Sequence, residues 1–364
     1  MVDADQAVEL FVPGRLCLFG EHSDWAAQSG LHEGYCLVIG TDQGLSAVAR
    51  ASESFLVETQ LPDELGRPSG RRRQMSCPWD PQTLLEAARD REEFFCYCAG
   101  VAYEMATNET VTKLGRSGGI DLRIVSMDLP LRKGVSSSAA VCILVAKAFD
   151  EVYGLGMFPH ELMEIAYRGE RLTGSQCGRM DQACIYGKTP VLLTFQESVD
   201  IRVEPVFPAG DVHMFFVDLA GRKSTRKILT DLRSAHQRSK DVQRGLGPHN
   251  ERIVREAYRA LGRGDAAWLG RLMTEAQANF DRLVAPASPE ELASPLLHGL
   301  LADESIAEHV HGGKGVGSQG DGTAQFVARG AGDRDEAMRK IAEARPRMQC
   351  FPLTIAAAGA RRKG

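Results

Sequence analysis

The sequence lacks the marks of several large protein classes. No apolar run approaches the ~20 residues that a membrane-spanning helix needs. Nine cysteines stand at 17, 36, 77, 96, 98, 142, 177, 184 and 350, and none forms a Cys-x-x-Cys pair. That speaks against a zinc site and against a thiol redox motif. Several of them lie in apolar runs, where a free thiol behaves as a small hydrophobe. Positive charge is not in excess: 43 Lys and Arg against 48 Asp and Glu leave a net charge of −5. This argues against nucleic acid or an anionic membrane as partner. Met1-Val-Asp-Ala-Asp lacks the basic-then-apolar pattern of a secretory signal. No internal repeat and no low-complexity domain is present. The expectation is a reduced, cytoplasmic protein.

What is present fits an ordinary folded chain. A hydrophobic content of 43% supports a packed core, and 364 residues leave room for two domains. The sequence is organised around the stretch from Leu129 to Val141. Ile120, Leu122, Ile124 and Val125 precede it in a strand-like run. Pro130 and Gly134 punctuate a turn. Val141, Leu144, Val145, Ala148, Phe149 and Val152 then fall on one helical face. Ser136 or Ser137 is placed to cap that helix, and Gly154 to end it. A loop of small side chains feeding a helix N-terminus offers free N–H groups and a positive dipole end to phosphate. A hydroxyl such as that of Ser138 suits a Mg²⁺ bound to the same phosphates. The same pattern also fits an ordinary Ser-capped helix.

Elsewhere the chain alternates strand and helix patterns. Leu10 to Phe19 is apolar, interrupted by Pro13-Gly14-Arg15, and leads into the polar Gly20-Glu-His-Ser-Asp24-Trp25. Glu21, His22 and Asp24 can act as acceptors and donors for a hydroxyl-rich ligand, with Trp25 as an apolar wall; a solvated turn is the plain alternative. Strand-like residues over 34–48 are split at Gly40 to Gly44, which reads as a hairpin connection. Pro62 to Pro78, with Arg71-Arg72-Arg73, reads as a solvated loop, and Leu84 to Met105 as helical. A helix is expected from Pro159 to about Arg171, with Glu170 at its end and Asp181 in the polar segment that follows. Asp181 can be a turn former, a general base or a metal ligand. Strands are expected at Val191–Phe195, Val212–Leu219, Thr323–Ala328 and Cys350–Ile355. Helices are expected near 225–239, 250–262, 265–283 and 335–344, with a domain boundary near 197–210.

Two apparent motifs mislead. Gly315-Val-Gly317-Ser-Gln-Gly320 matches the glycine spacing of a dinucleotide fingerprint, which needs a strand before it and a helix after it. Helix-like sequence precedes it and a strand follows, so a nicotinamide cofactor is not expected. Gly312-Gly-Lys-Gly resembles part of a P-loop, but the full pattern occurs nowhere.

Three stretches then act together. Pro13 to Asp24 resembles the first motif of the GHMP small-molecule kinases in its galactokinase form. Pro130 to Ala140 resembles their central phosphate loop, and Gly178-Arg-Met-Asp181-Gln182 the segment that carries their catalytic aspartate. Glu33-Gly-Tyr35 with Asp42 is similar to the matching galactokinase region. The resemblance spans most of 11–195 and recurs near 217–226 and 311–328.

It implies an α+β fold of two domains: a ribosomal protein S5 domain 2-like N-terminal ATP-binding domain over 1–203, and a ferredoxin-like C-terminal domain over 204–364. It also implies roles. Asp181 would accept or orient the acceptor hydroxyl's proton, and Arg15 would stabilise charge beside it and on the phosphoryl group. Lys133, Gly134, Val135, Ser136, Ser137, Ser138 and Ala139 would wrap ATP. Ser138 and Glu170 would hold Mg²⁺. Glu21, His22, Asp24 and the backbone at Gly178 would hold sugar hydroxyls. Phosphoryl transfer is mostly positioning and charge neutralisation, so this inventory suffices.

The expected activity is ATP-dependent phosphorylation of a monosaccharide at a hydroxyl, the anomeric one by this resemblance, in a chain that can be a homodimer. Departures lie near the acceptor: Trp25 where galactokinases carry Tyr, Arg179 in place of an apolar residue, and Ser318, Gln319 and Asp321 in the third glycine-rich segment, 312–322. The alternatives are a kinase of a phosphorylated sugar, polyol or mevalonate-like alcohol, with Arg132, Lys133, Arg179, Lys223 and Arg226 as basic candidates, or a non-catalytic sugar sensor.

Overall fold

The computed structural model describes residues 7–62, 68–90, 92–113, 118–129, 136–196 and 201–358. They form two compact units. The first takes the chain up to Arg15, from Gln43 through the strand that ends at Met127, and Ser136–Gly187; the second takes Leu16–Asp42 and the chain from Lys188 onward. Two long strands, β1 (Val8–Phe19) and β2 (Gly34–Ser52), pass from one into the other.

In the first unit β3 (Ser54–Pro62), β4 (Pro68–Pro78) and β5 (Gly119–Met127) join the second half of β2 in the order β4-β3-β5-β2. The β3–β5 pair is parallel and the other pairs are antiparallel. Its longer helices are α1 (Pro81–Arg89), α2 (Cys96–Thr107), α3 (Ser137–Tyr153) and α4 (Pro159–Leu172). The apolar residues of α3 extend beyond one stripe: Cys142, Ile143, Leu144, Val145, Ala146, Ala148 and Phe149 are all buried, as expected for a helix apolar nearly all round. Truncating Leu144 to alanine there should cost roughly 2–5 kcal/mol. Gly154 ends α3 in the left-handed conformation at φ 56°. α2 and α4 touch backbone to backbone, because a Cβ on Gly100 would lie 2.2 Å from the Gly169 carbonyl oxygen.

In the second unit the first half of β2 pairs with β6 (Val191–Phe195), and β6 with β7 (Ile201–Pro205). A separate antiparallel sheet contains β8 (Val212–Asp218), β9 (Val310–Gly315), β10 (Thr323–Ala328) and β11 (Gln349–Ile355), in the order β11-β8-β10-β9. Numbered within this sheet the order is 4-1-3-2, that of a split βαβ ferredoxin-like layer. Phe215 and Phe326 stack on one face, centroids 5.0 Å apart, over Leu297, Leu300 and Ile341. Ile341 belongs to α9 (Ala331–Ala344). Between β8 and β9 lie α5 (Thr225–His236), α6 (Lys240–Leu246), α7 (Pro248–Gly262) and α8 (Ala266–Leu283).

Several local expectations are corrected. Pro13-Gly14-Arg15 does not interrupt β1, and Gly40 to Gly44 is no hairpin: β2 runs straight through, with Thr41 buried. Gly44 is small because the Phe11 ring and the Val12 carbonyl oxygen would each sit 2.5 Å from a Cβ there. The expected loop at 62–78 is largely β4, which places Arg71, Arg72 and Arg73 exposed on an edge strand, a common guard against edge pairing. The helix expected over 84–105 is two helices. The glycine-rich segment 312–322 is a strand as far as Gly315, so a strand rather than a helix precedes the fingerprint-like glycines; β10 still follows them.

Candidate active site

In the first unit the end of the β1 segment, the start of α3 and the 3₁₀ turn Asp181–Tyr186 bring three predicted residues together. The Arg15 guanidinium, 2% exposed, donates to the Asp181 carboxylate and to the Ser136 hydroxyl. Ser136 in turn donates to Asp181 Oδ1 at 2.6 Å. Ser136 does not cap α3: its backbone is left-handed (φ 54°, ψ 51°) and its side chain makes no capping bond. A non-glycine residue held there costs on the order of 1–3 kcal/mol and occurs mostly where the surroundings demand it. Here the hydroxyl is diverted from the helix to Asp181. The first N–H groups of α3 therefore have no side-chain cap at Ser136.

Two residues on, in the first turn of α3, the Ser138 hydroxyl donates to Glu170 Oε1 at 2.9 Å. Glu170 is 1% exposed near the end of α4. Ser175 also donates to its Oε1 (3.2 Å), and the Gln182 amide to its Oε2 (2.9 Å). Burial, with the Asp181 charge second, pushes Glu170 up to about 7, against these three donors. Gln182 and Ser175 were not singled out from sequence; Gln182 follows directly on Asp181 and was the available signal. Ser137 and Ala139 lie in the first turn of α3, and Gly178 is buried three residues before Asp181. Lys133, Gly134, Val135 and Arg132 lie outside the described residues. Arg179 is engaged: it pairs with Glu164 at 3.0 Å and lies 4.3 Å over the Tyr167 ring.

The second unit holds Glu21, His22 and Asp24, all less than a tenth exposed. The sharp turn after β1 requires Gly20, at φ 99°, where a Cβ would lie 2.0 Å from the Tyr35 carbonyl oxygen. His22 is left-handed at φ 69°. Its Nδ1 accepts from Trp25 Nε1 at 3.2 Å, and its ring stacks on Phe280 at 6.1 Å. Burial, then the charge of Lys223, lowers His22 to about 3, so the ring is neutral at physiological pH. Trp25 is not an exposed wall; it is buried among Ile228, Leu232, Val242 and Leu246. Glu21 is not a free acceptor either, because Lys314 Nζ donates to its Oε1 at 2.5 Å. Lys314 is 2% exposed, and sequence reading missed it because it sat inside a segment taken for a loop.

Residues 98–188 match the GHMP kinases N terminal domain. A galactokinase of Roseiflexus sp. (strain RS-1) is 25% identical over 305 residues, 74% of this chain and 71% of that protein. The galactokinase of Pasteurella multocida (strain Pm70) is 23% identical over 92% of this chain and 88% of its own length. These matches support a galactokinase-like GHMP kinase. The crystal structure of Lactococcus lactis galactokinase complexed with galactose superposes with a TM-score of 0.70, at 18% identity, over 98% of this chain and 95% of the other. That likeness establishes the fold expected from sequence.

For a GHMP kinase, Mg²⁺ is the implied metal. The donor chemistry fits: a buried carboxylate and a hydroxyl, both hard oxygen donors, meet at Glu170 and Ser138. Gln182 adds a buried Oε1 with no hydrogen-bond partner among the described residues. A carboxylate that burial holds near 7 also gains most from a cation.

Proposed function

We propose that this kinase transfers the γ-phosphoryl group of ATP to a hydroxyl, the anomeric one, of a monosaccharide. The observation that carries the reading is the Arg15–Asp181–Ser136 cluster, set beside the Ser138–Glu170 pair at one helix N-terminus. The α3 N-terminus, with Ser136, Ser137, Ser138 and Ala139, receives the ATP phosphates through backbone N–H groups. Asp181 accepts a hydrogen bond from the acceptor hydroxyl and takes its proton as the new O–P bond forms and the bond to ADP breaks. Arg15 keeps Asp181 oriented and offsets the charge on the transferred group. Mg²⁺, when bound by Ser138 and Glu170, supplies further neutralisation of phosphate charge. Glu21, His22 and Asp24 address the sugar.

Two observations weigh against the alternatives. A sensor has no need of Arg15, Ser138, Glu170 and Asp181 together. A phosphorylated acceptor needs free basic groups, and Arg179 is occupied by Glu164 and Tyr167. The test is coupled ADP release with Mg-ATP over free sugars, phosphosugars, inositol and mevalonate. A free sugar should drive release; ATP binding without release on any acceptor would favour the sensor.

A further inference from the structure

In the second unit α6, α7 and α8 bring four basic side chains to one place. Arg244 stands in the last turn of α6, and His249 in the first turn of α7, with Arg252 three residues on. Arg282 stands in the last turn of α8. Arg244 Nε donates to His249 Nε2 at 2.9 Å, so the ring carries its proton on Nδ1. The Asn279 side chain hydrogen-bonds the same ring, and Arg282 donates to Asn279 Oδ1 at 2.9 Å. Burial, then the charges of Arg244, Arg282 and Arg252, lower the His249 pKa, which places all three guanidiniums near the ring. His249, Asn250 and Asn279 also line a cavity of about 40 Å³. At ~10–15 Å³ for each water-sized probe, that is room for about three waters. The cavity also reaches Glu21, whose charge Lys314 offsets at 2.5 Å.

What the cluster lacks is a carboxylate. Arg252 is paired with Glu256 and Glu275. Glu251, two residues after His249, is taken by Arg255 at 2.9 Å. Among the described residues neither Arg244 nor Arg282 pairs with a carboxylate; each donates to a neutral side chain, His249 and Asn279 respectively. Positive charge gathered in this way, without its counter-charge, favours an anion. A guanidinium presents paired N–H groups that match two oxygens of a phosphate. Two guanidiniums flanking an imidazole suit a group with three oxygens and two charges better than a single carboxylate. We propose that Arg244, Arg282, His249 and Asn279 bind a phosphoryl group, at a site built from none of the residues assigned to ATP or to the acceptor. The proposal does not rest on the kinase reading.

The test is calorimetric and needs no turnover. The full chain is titrated with inorganic phosphate at an ionic strength held constant with chloride. Saturating Mg²⁺ and a non-hydrolysable ATP analogue keep phosphate out of the nucleotide site. Phosphate should still bind, and Arg244→Gln and Arg282→Gln should each weaken it at least about tenfold, the scale of one charge-assisted hydrogen bond. Arg339→Gln removes the same charge from α9 and should leave the affinity unchanged. The His249 ring, followed by NMR and assigned with His249→Gln, should titrate at higher pH when phosphate is bound, because a neighbouring anion favours the protonated ring. Sugar 1-phosphates and 6-phosphates, titrated in the same way, separate the sources. Tighter binding than inorganic phosphate means that the group arrives on a sugar; equal or weaker binding means free phosphate. If Arg244 and Arg282 only tie the three helices together, their variants lower the melting temperature and leave phosphate binding unchanged; that result overturns the proposal. No binding by the parent, or an equal loss in Arg339→Gln, overturns it as well. ADP release enters none of these readings, so failure of the kinase reading leaves them intact.

Discussion

Glu170 and His22 give the chain opposing pH dependences. Glu170 has its folded pKa raised from 4.5 to about 7. Its contribution to stability is full below about 4.5 and is lost as pH rises through 7, on the order of 3 kcal/mol at ~1.4 kcal/mol per pKa unit. Glu170→Gln should therefore make the ligand-free protein more stable at pH 8 than the parent, and should flatten the change in stability between pH 5 and 8. Gln182 can turn its unpaired Oε1 to accept from the new amide. Thermal unfolding of both proteins at the two pH values checks this; equal pH slopes would contradict the burial account. His22 has the reverse sign. Its folded pKa falls from 6.5 to about 3, so its contribution is present above 6.5 and is lost as pH falls toward 3, about 2 kcal/mol by pH 5. His22→Asn should remove that acid loss, and an unchanged acid limb in denaturant unfolding would contradict it. Both residues were named from sequence. What sequence could not supply was burial, which for His22 comes in part from Phe280 of α8, distant in sequence.

At the scale of elements, the α2–α4 contact supports the Glu170 carboxylate. Gly169 precedes Glu170, and its backbone lies against Gly100. Gly100→Ala adds one methyl where a carbonyl oxygen stands 2.2 Å away, so the helices must part. The expected loss is about 1–3 kcal/mol of stability, the usual scale of overpacking. Chemical denaturation reads it, and an unaltered midpoint would mean that the two helices separate freely. Elements with strong periodicity were legible: α4, β6, β10 and α9 lie close to where spacing placed them. The misreadings share one cause. Gly44 and Gly312 to Gly315 looked like turn formers, but their glycines admit a neighbouring ring or backbone to a strand. Close approach and turning demand the same residue, and only the partner, distant in sequence, separates them. The Arg71 to Arg73 triplet failed similarly, since an exposed edge strand and a solvated loop can share a composition.

At the scale of the whole molecule, the legible part of the site is the part whose chemistry is fixed by residue type in one short segment. Arg15, Ser138, Glu170 and Asp181 came from motifs; Lys314 did not, because its pairing with Glu21 across 293 residues leaves no local trace. Nucleotide binding should stabilise the folded chain by mass action. Mg-ATP at about a hundred times its dissociation constant should add ~2.7 kcal/mol, visible as a higher melting temperature. Ser138→Ala should need more Mg²⁺ for the same shift; an unaltered Mg²⁺ titration would move the metal elsewhere. The most direct test of the central claim is acceptor-dependent ADP release by the parent and by Asp181→Asn. The account predicts that one free sugar drives release in the parent, and that the variant retains nucleotide binding while its turnover falls by about two orders of magnitude or more. Equal turnover by the two proteins would contradict it.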